Sequence, residues 1–218
     1  MIREVTIVPT ILSNNKIDYR TQIERINVFT RRVQIDVSDG IFAPTQTLDI
    51  TNVWWPRNWK ADLHLIVAKP SEYLDTILKL NPSLCIMHAE VQEDLTPMIK
   101  SLKEHGIRTG IALLPATFPG DVQNYIEEVD HVLIFAGAIG MQGSQADLMQ
   151  TEKIPLIRAM KPELEIGWDG GANITNIRAL AHADLDVINV GSALSQSENP
   201  AAIFEELVAE IDKSGVVL

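Results

Sequence analysis

The feature that most constrains this chain is a regular alternation of short apolar runs with longer segments that carry helical spacing or helical start and stop signals. Short continuous apolar runs are what a strand buried on both faces of a parallel sheet looks like, and parallel strands need crossovers that covering helices supply. Eight such pairs can be drawn. The strands are predicted at residues 5–9, 33–37, 61–66, 84–88, 108–113, 131–135, 165–168 and 186–190. Helices are predicted at 18–30, 71–80, 95–105, 120–128, 146–160, 174–183 and 199–213. The second helical position, 48–58, contains Trp54, Trp55 and Pro56 and is given only one or two turns. Pro70-Ser71 opens the third helix, Gly106 closes the fourth, and Asn199-Pro200 puts proline at the start of the last. With no linker and no shift in composition between units, residues 1–218 are expected to form a single α/β domain, a (β/α)8 barrel of the TIM type. A doubly wound open sheet is disfavoured, because no Gly-x-Gly-x-x-Gly follows the first strand and polar residues recur at strand ends along the whole chain.

Charge narrows the partners. The chain has 29 acidic against 18 basic residues, a net charge of −11, so an extended phosphate backbone or an anionic membrane would be repelled and neither nucleic acid nor membrane is expected. A small phosphorylated ligand stays open, since backbone N–H groups bind one locally whatever the net charge. The one cysteine, Cys85, lies in an apolar run and has no intramolecular disulfide partner, which fits a reducing compartment. Residues 1–10 lack a basic stretch followed by an apolar one, and no run of about 18 apolar residues occurs, so a cytoplasmic protein is expected.

In a closed parallel barrel, functional groups collect at the C-terminal ends of the strands. Thr10 and Ser13 are expected after the first strand, Gln34 and Asp36 on the second, His64 on the third, His88 on the fourth and Asp169 on the seventh. Positions two apart on a strand share a face, so Gln34 and Asp36 project together. A carboxylate in an apolar lining is costly unless it is paired, hydrogen-bonded or bound to a cation. Each of these residues also has a structural explanation: Asp39-Gly40 reads as a turn, His64 as a satisfied core histidine between Leu63 and Leu65, and Asp169 as part of a turn with Gly170-Gly171. Taken together, Asp36, His64 and Asp169 form an acid/base or divalent-metal constellation at one barrel mouth. Gly140, Gly143, Gly170, Gly171 and Gly191, with Ser192, follow the last three strands, where barrels build phosphate sites from exposed backbone N–H groups.

The sequence resembles the ribulose-phosphate 3-epimerase family through most of its length. Val8-Pro9-Thr10-Ile11-Leu12-Ser13 resembles the family's opening Pro-Ser-Ile-Leu-Ser, and Gln34-Ile35-Asp36-Val37-Ser38-Asp39-Gly40 its His-x-Asp-x-Met-Asp-Gly. Asp62-Leu63-His64-Leu65, Met87-His88-Ala89-Glu90, Trp168-Asp169-Gly170-Gly171 and Gly191-Ser192-Ala193 follow in the family's order. The resemblance implies interconversion of ketopentose phosphates, ribulose 5-phosphate and xylulose 5-phosphate, by proton transfer at C3. It makes Asp36 and Asp169 the acid/base pair. A divalent metal of zinc, iron or manganese type would be held by Asp36, His64 and Asp169, with Gln34 in the place of a metal-binding histidine. Thr10, His64, Gly143, Gly170, Gly171, Gly191 and Ser192 would contact the sugar phosphate, and the chain would be a homo-oligomer.

Departures from the family pattern are equally specific. The amide of Gln34 is a poorer ligand than imidazole for zinc-like or iron-like cations. Ser38 and Ile66 replace two methionines, and the loop after the sixth strand, residues 138–144, keeps two of three glycines. The alternative is a non-catalytic sugar-phosphate-binding or regulatory barrel. An aldolase or decarboxylase with an Asp-x-Lys constellation is disfavoured, because Lys60 is expected before its strand and Lys69 after it. Trp54, Trp55 and Trp59 form either an apolar patch or ordinary core.

Overall fold

A computed structural model describes residues 4–139 and 143–213. Eight parallel strands close into a barrel in chain order: β1 (Thr6–Ile11), β2 (Arg32–Ser38), β3 (Lys60–Ile66), β4 (Leu84–His88), β5 (Arg108–Leu113), β6 (His131–Phe135), β7 (Glu165–Asp169) and β8 (Val187–Val190), with β8 pairing back onto β1. The open-sheet alternative is thereby excluded. Around the barrel lie α1 (Lys16–Ile26), α2 (Leu74–Leu80), α3 (Thr96–Glu104), α4 (Gln123–Glu128), α5 (Lys153–Met160), α6 (Ile177–Ala181), α7 (Ser192–Ser195) and α8 (Pro200–Ile211). Among the described residues no helix is long and apolar enough to cross a membrane.

The strands match their expected positions closely, and the differences matter at the ends. β1 runs on to Ile11, so Thr10 lies within the strand and not after it. β7 includes Asp169 as its last residue. Lys60 opens β3 instead of preceding it, exposed at the opposite end of the barrel from Ile66. Helices differ more, for local reasons. The expected helix 146–160 is α-helical only in α5, behind a 3-10 turn at Leu148–Glu152; Pro155 has no N–H to donate and is tolerated because it falls in the first turn of α5. At 174–183 the helix is confined to α6, because Asn173 Oδ1 accepts from Thr175 N and Asn176 Oδ1 from Asn173 N, a local turn that competes with helix. Region 48–58 makes one 3-10 turn, Ile50–Asn52, capped by Asp49. The short helix α7 had no counterpart in the sequence reading.

The expected caps are present. Gly106 adopts φ +76 after α3, Asn199 Oδ1 accepts from Ala202 N at the start of α8, and Pro70 opens a 3-10 turn, Pro70–Tyr73, ahead of α2. The tryptophan cluster divides. Trp59 is buried and donates from Nε1 to Asn27 Oδ1 (3.0 Å), Trp55 packs on the core, and Trp54 is exposed.

Inside the barrel, Leu84, Ile86, Ala112 and Leu133 form a small apolar cluster apart from the main strand–helix core. Below it the floor is charged. Arg32 donates from Nε to Asp62 Oδ2 (2.8 Å) and from both terminal nitrogens to Glu165 (2.8 and 3.2 Å), and His131 Nδ1 lies 2.8 Å from Glu165 Oε1. Gly167 leaves room for the His131 ring, since a Cβ there would stand 2.7 Å from Nε2. Burial works against ionisation of Glu165, but hydrogen bonds from His131 and Arg32 outweigh it and hold the carboxyl well below its ordinary range. A depressed carboxyl contributes stability that is complete above its unfolded-chain value, about 4.3, and is lost as pH falls below that. Asp62 is shifted the other way, chiefly by burial, and offsets part of this. Thermal unfolding of the wild type is therefore expected to lose more stability between pH 7 and pH 3 than Glu165→Gln loses; equal losses would remove Glu165 from the account.

Candidate active site

Strand register assembles the site. The β2–β3 ladder sets Asp36 beside His64, and the β6–β7–β8 ladders set Phe135 beside Asp169 and Asp169 beside Asn189. Gln34 and Asp36 share the inward face of β2, and their side chains meet: Gln34 Nε2 donates to Asp36 Oδ1 (3.0 Å) and to Asp169 Oδ2 (2.7 Å). One amide group thus ties together two carboxylates from strands far apart in sequence. His64 Nδ1 lies 3.1 Å from Asp36 Oδ1 and 3.7 Å from Asp169 Oδ2. Gln34 and His64 have no solvent exposure.

The electrostatics follow from that burial. Desolvation lifts the Asp36 carboxyl well above the ordinary range, with the Gln34 hydrogen bond and the nearby His88 opposing it. Desolvation and then the Asp36 charge lift Asp169 in the same direction. Two carboxyls this close do not both ionise readily, and sharing one proton between them is the cheaper state. Burial pushes His64 down to about 4, so its imidazole is neutral.

Ligand atoms of Asp36, His64 and Asp169 all lie within 4.8 Å of one another, as a bound divalent ion requires. The chemistry of the donors fits: two carboxylates and an imidazole suit zinc, iron or manganese. Gln34 Oε1 is buried without a hydrogen-bond partner among the described residues, and a half-turn of the carboxamide would aim it at the same point. Gln34 is then a fourth, weaker donor.

Above these groups opens a cleft lined by Thr10, Asp36, Ser38, Thr45, Phe135, Gly143, Ser144, Asp169, Gly170, Gly171, Asn189, Gly191 and Ser192, among others. Thr10, Gly143, Gly170, Gly171, Gly191 and Ser192, singled out from the sequence, all face it with both aspartates. Gln34 and His64 do not; they lie beneath its floor. Gly140, with Met141 and Gln142, lies outside the described residues. Gly170 and Gly171 have φ of +119 and +68, and a Cβ on either would come within 2.3 Å of backbone nitrogen, of Gly137 and Ala146 respectively. Glycine is required there for the loops after β6 and β7 to touch at all, which also bares their backbone toward the cleft.

Sequence reasoning missed Asn189. Its Oδ1, like Thr10 Oγ1, is buried at the cleft with no partner among the described residues. The available signal was an asparagine in the apolar run Val187–Val190. Ser38 donates from Oγ to Thr45 O (2.6 Å) and so ties down the loop after β2. Asp39 keeps its turn role: its carboxylate accepts from Ile41 N, Phe42 N and Ala68 N, beside Gly40 at φ +74.

The model of the ribulose-phosphate 3 epimerase family matches residues 6–195 of this chain. The chain belongs to the ribulose-phosphate 3-epimerase family. Among curated relatives, the cytoplasmic isoform of ribulose-phosphate 3-epimerase from Oryza sativa subsp. japonica is 28% identical over 216 residues, 95% of each chain. Ribulose-phosphate 3-epimerase from Schizosaccharomyces pombe is 26% identical over 218 residues, covering 97% of this chain and 96% of that one. Among solved structures, tryptophan synthase from Mycobacterium tuberculosis superimposes with a TM-score of 0.71 at 13% identity, over 96% of this chain and 93% of that one, a likeness of fold alone. Ribulose-phosphate 3-epimerases are carbohydrate-phosphate epimerases, so the family places the chain in an enzyme class as well as a fold.

Proposed function

We propose that the chain is a ketose-phosphate 3-epimerase, interconverting ribulose 5-phosphate and xylulose 5-phosphate or a closely related pair, with Asp36 and Asp169 as its acid and base. The observation that carries this reading is the pair of buried aspartates joined through Gln34 at the base of a glycine-lined cleft. Backbone N–H groups around Gly143, Gly170, Gly171, Gly191 and Ser192 receive the phosphate, and the Thr10 hydroxyl, without a partner among the described residues, meets a sugar oxygen. The ionised aspartate removes the C3 proton; the C–H electron pair moves into the C2–C3 bond and the carbonyl oxygen takes up the charge, giving an enediolate. The protonated aspartate then delivers its proton to the opposite face of C3, and the two residues have exchanged protonation states. Two carboxyls sharing one proton are what inversion at carbon needs.

A divalent ion held by Asp36, His64 and Asp169 would supply positive charge next to the enediolate oxygens. Because Gln34 is the weak donor, Gln34→His is expected to tighten zinc binding about tenfold or more, the gain from one contact worth about 1.4 kcal/mol. Titration calorimetry reads this directly, and unchanged affinity would show that Gln34 does not limit the site. One observation favours the second reading, a non-catalytic sugar-phosphate-binding barrel: the Gln34 amide satisfies both carboxylates as the chain stands. NMR of ribulose 5-phosphate incubated with the protein separates the two. Growth of xylulose 5-phosphate signals supports the epimerase, whereas saturable binding without conversion supports the binding protein.

A further inference from the structure

Polar contacts continue behind His64, away from the cleft. His64 Nε2 lies 3.0 Å from His88 Nε2, and both rings are fully buried. On its far side, His88 Nδ1 lies 3.4 Å from Glu90 Oε2, and neither atom has another partner among the described residues. The second carboxylate oxygen of Glu90 accepts from Leu114 N (2.8 Å) and from the Thr117 hydroxyl. That loop is itself pinned, since the buried Lys153 donates to Leu114 O (2.7 Å) and Pro115 O (3.2 Å). A line of contacts therefore runs from the two aspartates through two imidazoles to an anchored carboxylate.

Counting hydrogens gives the line a direction. Three contacts are in series: aspartates to His64 Nδ1, His64 Nε2 to His88 Nε2, and His88 Nδ1 to Glu90. Each needs one hydrogen, and two neutral imidazoles supply two. Among the described residues the other partners of Glu90, Leu114 N and the Thr117 hydroxyl on the loop after β5, are both donors, so it meets His88 as an acceptor. His88 must then carry its hydrogen on Nδ1 and present a lone pair at Nε2, and His64 must carry its hydrogen on Nε2. We propose that His88 and Glu90 are positioning residues, which fix the tautomer of His64 so that its Nδ1 lone pair faces Asp36 and Asp169. A lone pair there is what a cation or an acidic hydrogen at the two aspartates requires, and a partner on the second ring nitrogen is the usual way to secure it. The inference deepens the site of the proposed epimerase and rests on that reading only for its catalytic meaning.

The test needs no sugar. In protein labelled with 15N-histidine, with the rings assigned using His64→Asn and His88→Gln, long-range 1H–15N correlation spectra show which ring nitrogen carries hydrogen. The wild type is expected to show hydrogen on Nε2 of His64 and Nδ1 of His88. Glu90→Gln is expected to reverse both: Leu114 and Thr117 hold the amide oxygen, so the amide N–H₂ faces His88 Nδ1 and the chain of donors runs the other way. Epimerisation or zinc affinity is expected to fall on the order of 10- to 100-fold in the same variant. Hydrogen on Nδ1 of His64 in the wild type, which needs no variant to fold, overturns the proposal. So does an unreversed tautomer in a folded Glu90→Gln. Because the spectra are taken without substrate, their failure leaves the epimerase reading standing, and failure of epimerisation leaves the tautomer result standing.

Discussion

Asp169→Asn is expected to lower the rate of C3 epimerisation by about 10³-fold or more while leaving the protein folded. The magnitude is that of a lost general acid–base group, about 10² to 10⁴ in rate. Asparagine has the shape of aspartate, and its oxygen can still accept from Gln34 Nε2, which now donates to Asp169 Oδ2 at 2.7 Å. Removing the Asp169 carboxyl also relieves the desolvation and the Asp36 repulsion that raise it, so thermal stability is expected to hold or rise. Asp36→Asn should behave alike, since inversion uses both residues. Loss of activity together with loss of folding, or activity within tenfold of wild type, would remove Asp169 from the acid/base role.

Gly170→Ala is expected to destabilise the fold by about 2–6 kcal/mol, adding backbone strain of about 1–3 kcal/mol to overpacking of about 1–3 kcal/mol. At φ +119 the backbone is in a region that L side chains rarely adopt, and the new Cβ would stand 2.3 Å from Gly137 N and 2.8 Å from Gly137 Cα. Neither neighbour is a flexible side chain that could give way. In a chain of this size the middle of that range corresponds to a fall of roughly 10 °C in Tm. Gly106→Ala is the control, because Gly106 has φ +76 but nothing within 4 Å of its Cβ position; only strain of about 1 kcal/mol is expected there. Comparable falls in Tm for the two would mean that contact with Gly137 is unimportant.

The barrel was legible because its strands are continuous apolar runs, whose period does not depend on distant neighbours. Asp36 and His64 stood out for the same reason, as polar breaks in such runs. Helix limits were less legible, since they turn on single competing bonds such as those of Asn173 and Asn176, which delay the start of the helix expected at 174–183 until Ile177. What Gln34 does was hidden. Its position beside Asp36 follows from strand geometry, but its second bond reaches Asp169 across 135 residues of sequence, and only barrel closure creates it. Resemblance marked it as a weak ligand, whereas the structure also makes it the bridge between the two aspartates. Glu90 was likewise seen only as part of a motif. Its anchorage by Leu114 and Thr117 belongs to a neighbouring strand's loop.

The two-aspartate mechanism is tested most directly by proton exchange at C3. Ribulose 5-phosphate is incubated with the wild-type protein in deuterated water, with and without added zinc, and deuterium at C3 is followed by NMR. Deuterium is expected to enter C3 in the presence of wild type, and not to enter with Asp36→Asn or Asp169→Asn. Saturable binding of the sugar phosphate with no deuterium at C3 under either condition would contradict the mechanism and leave the barrel as a binding protein.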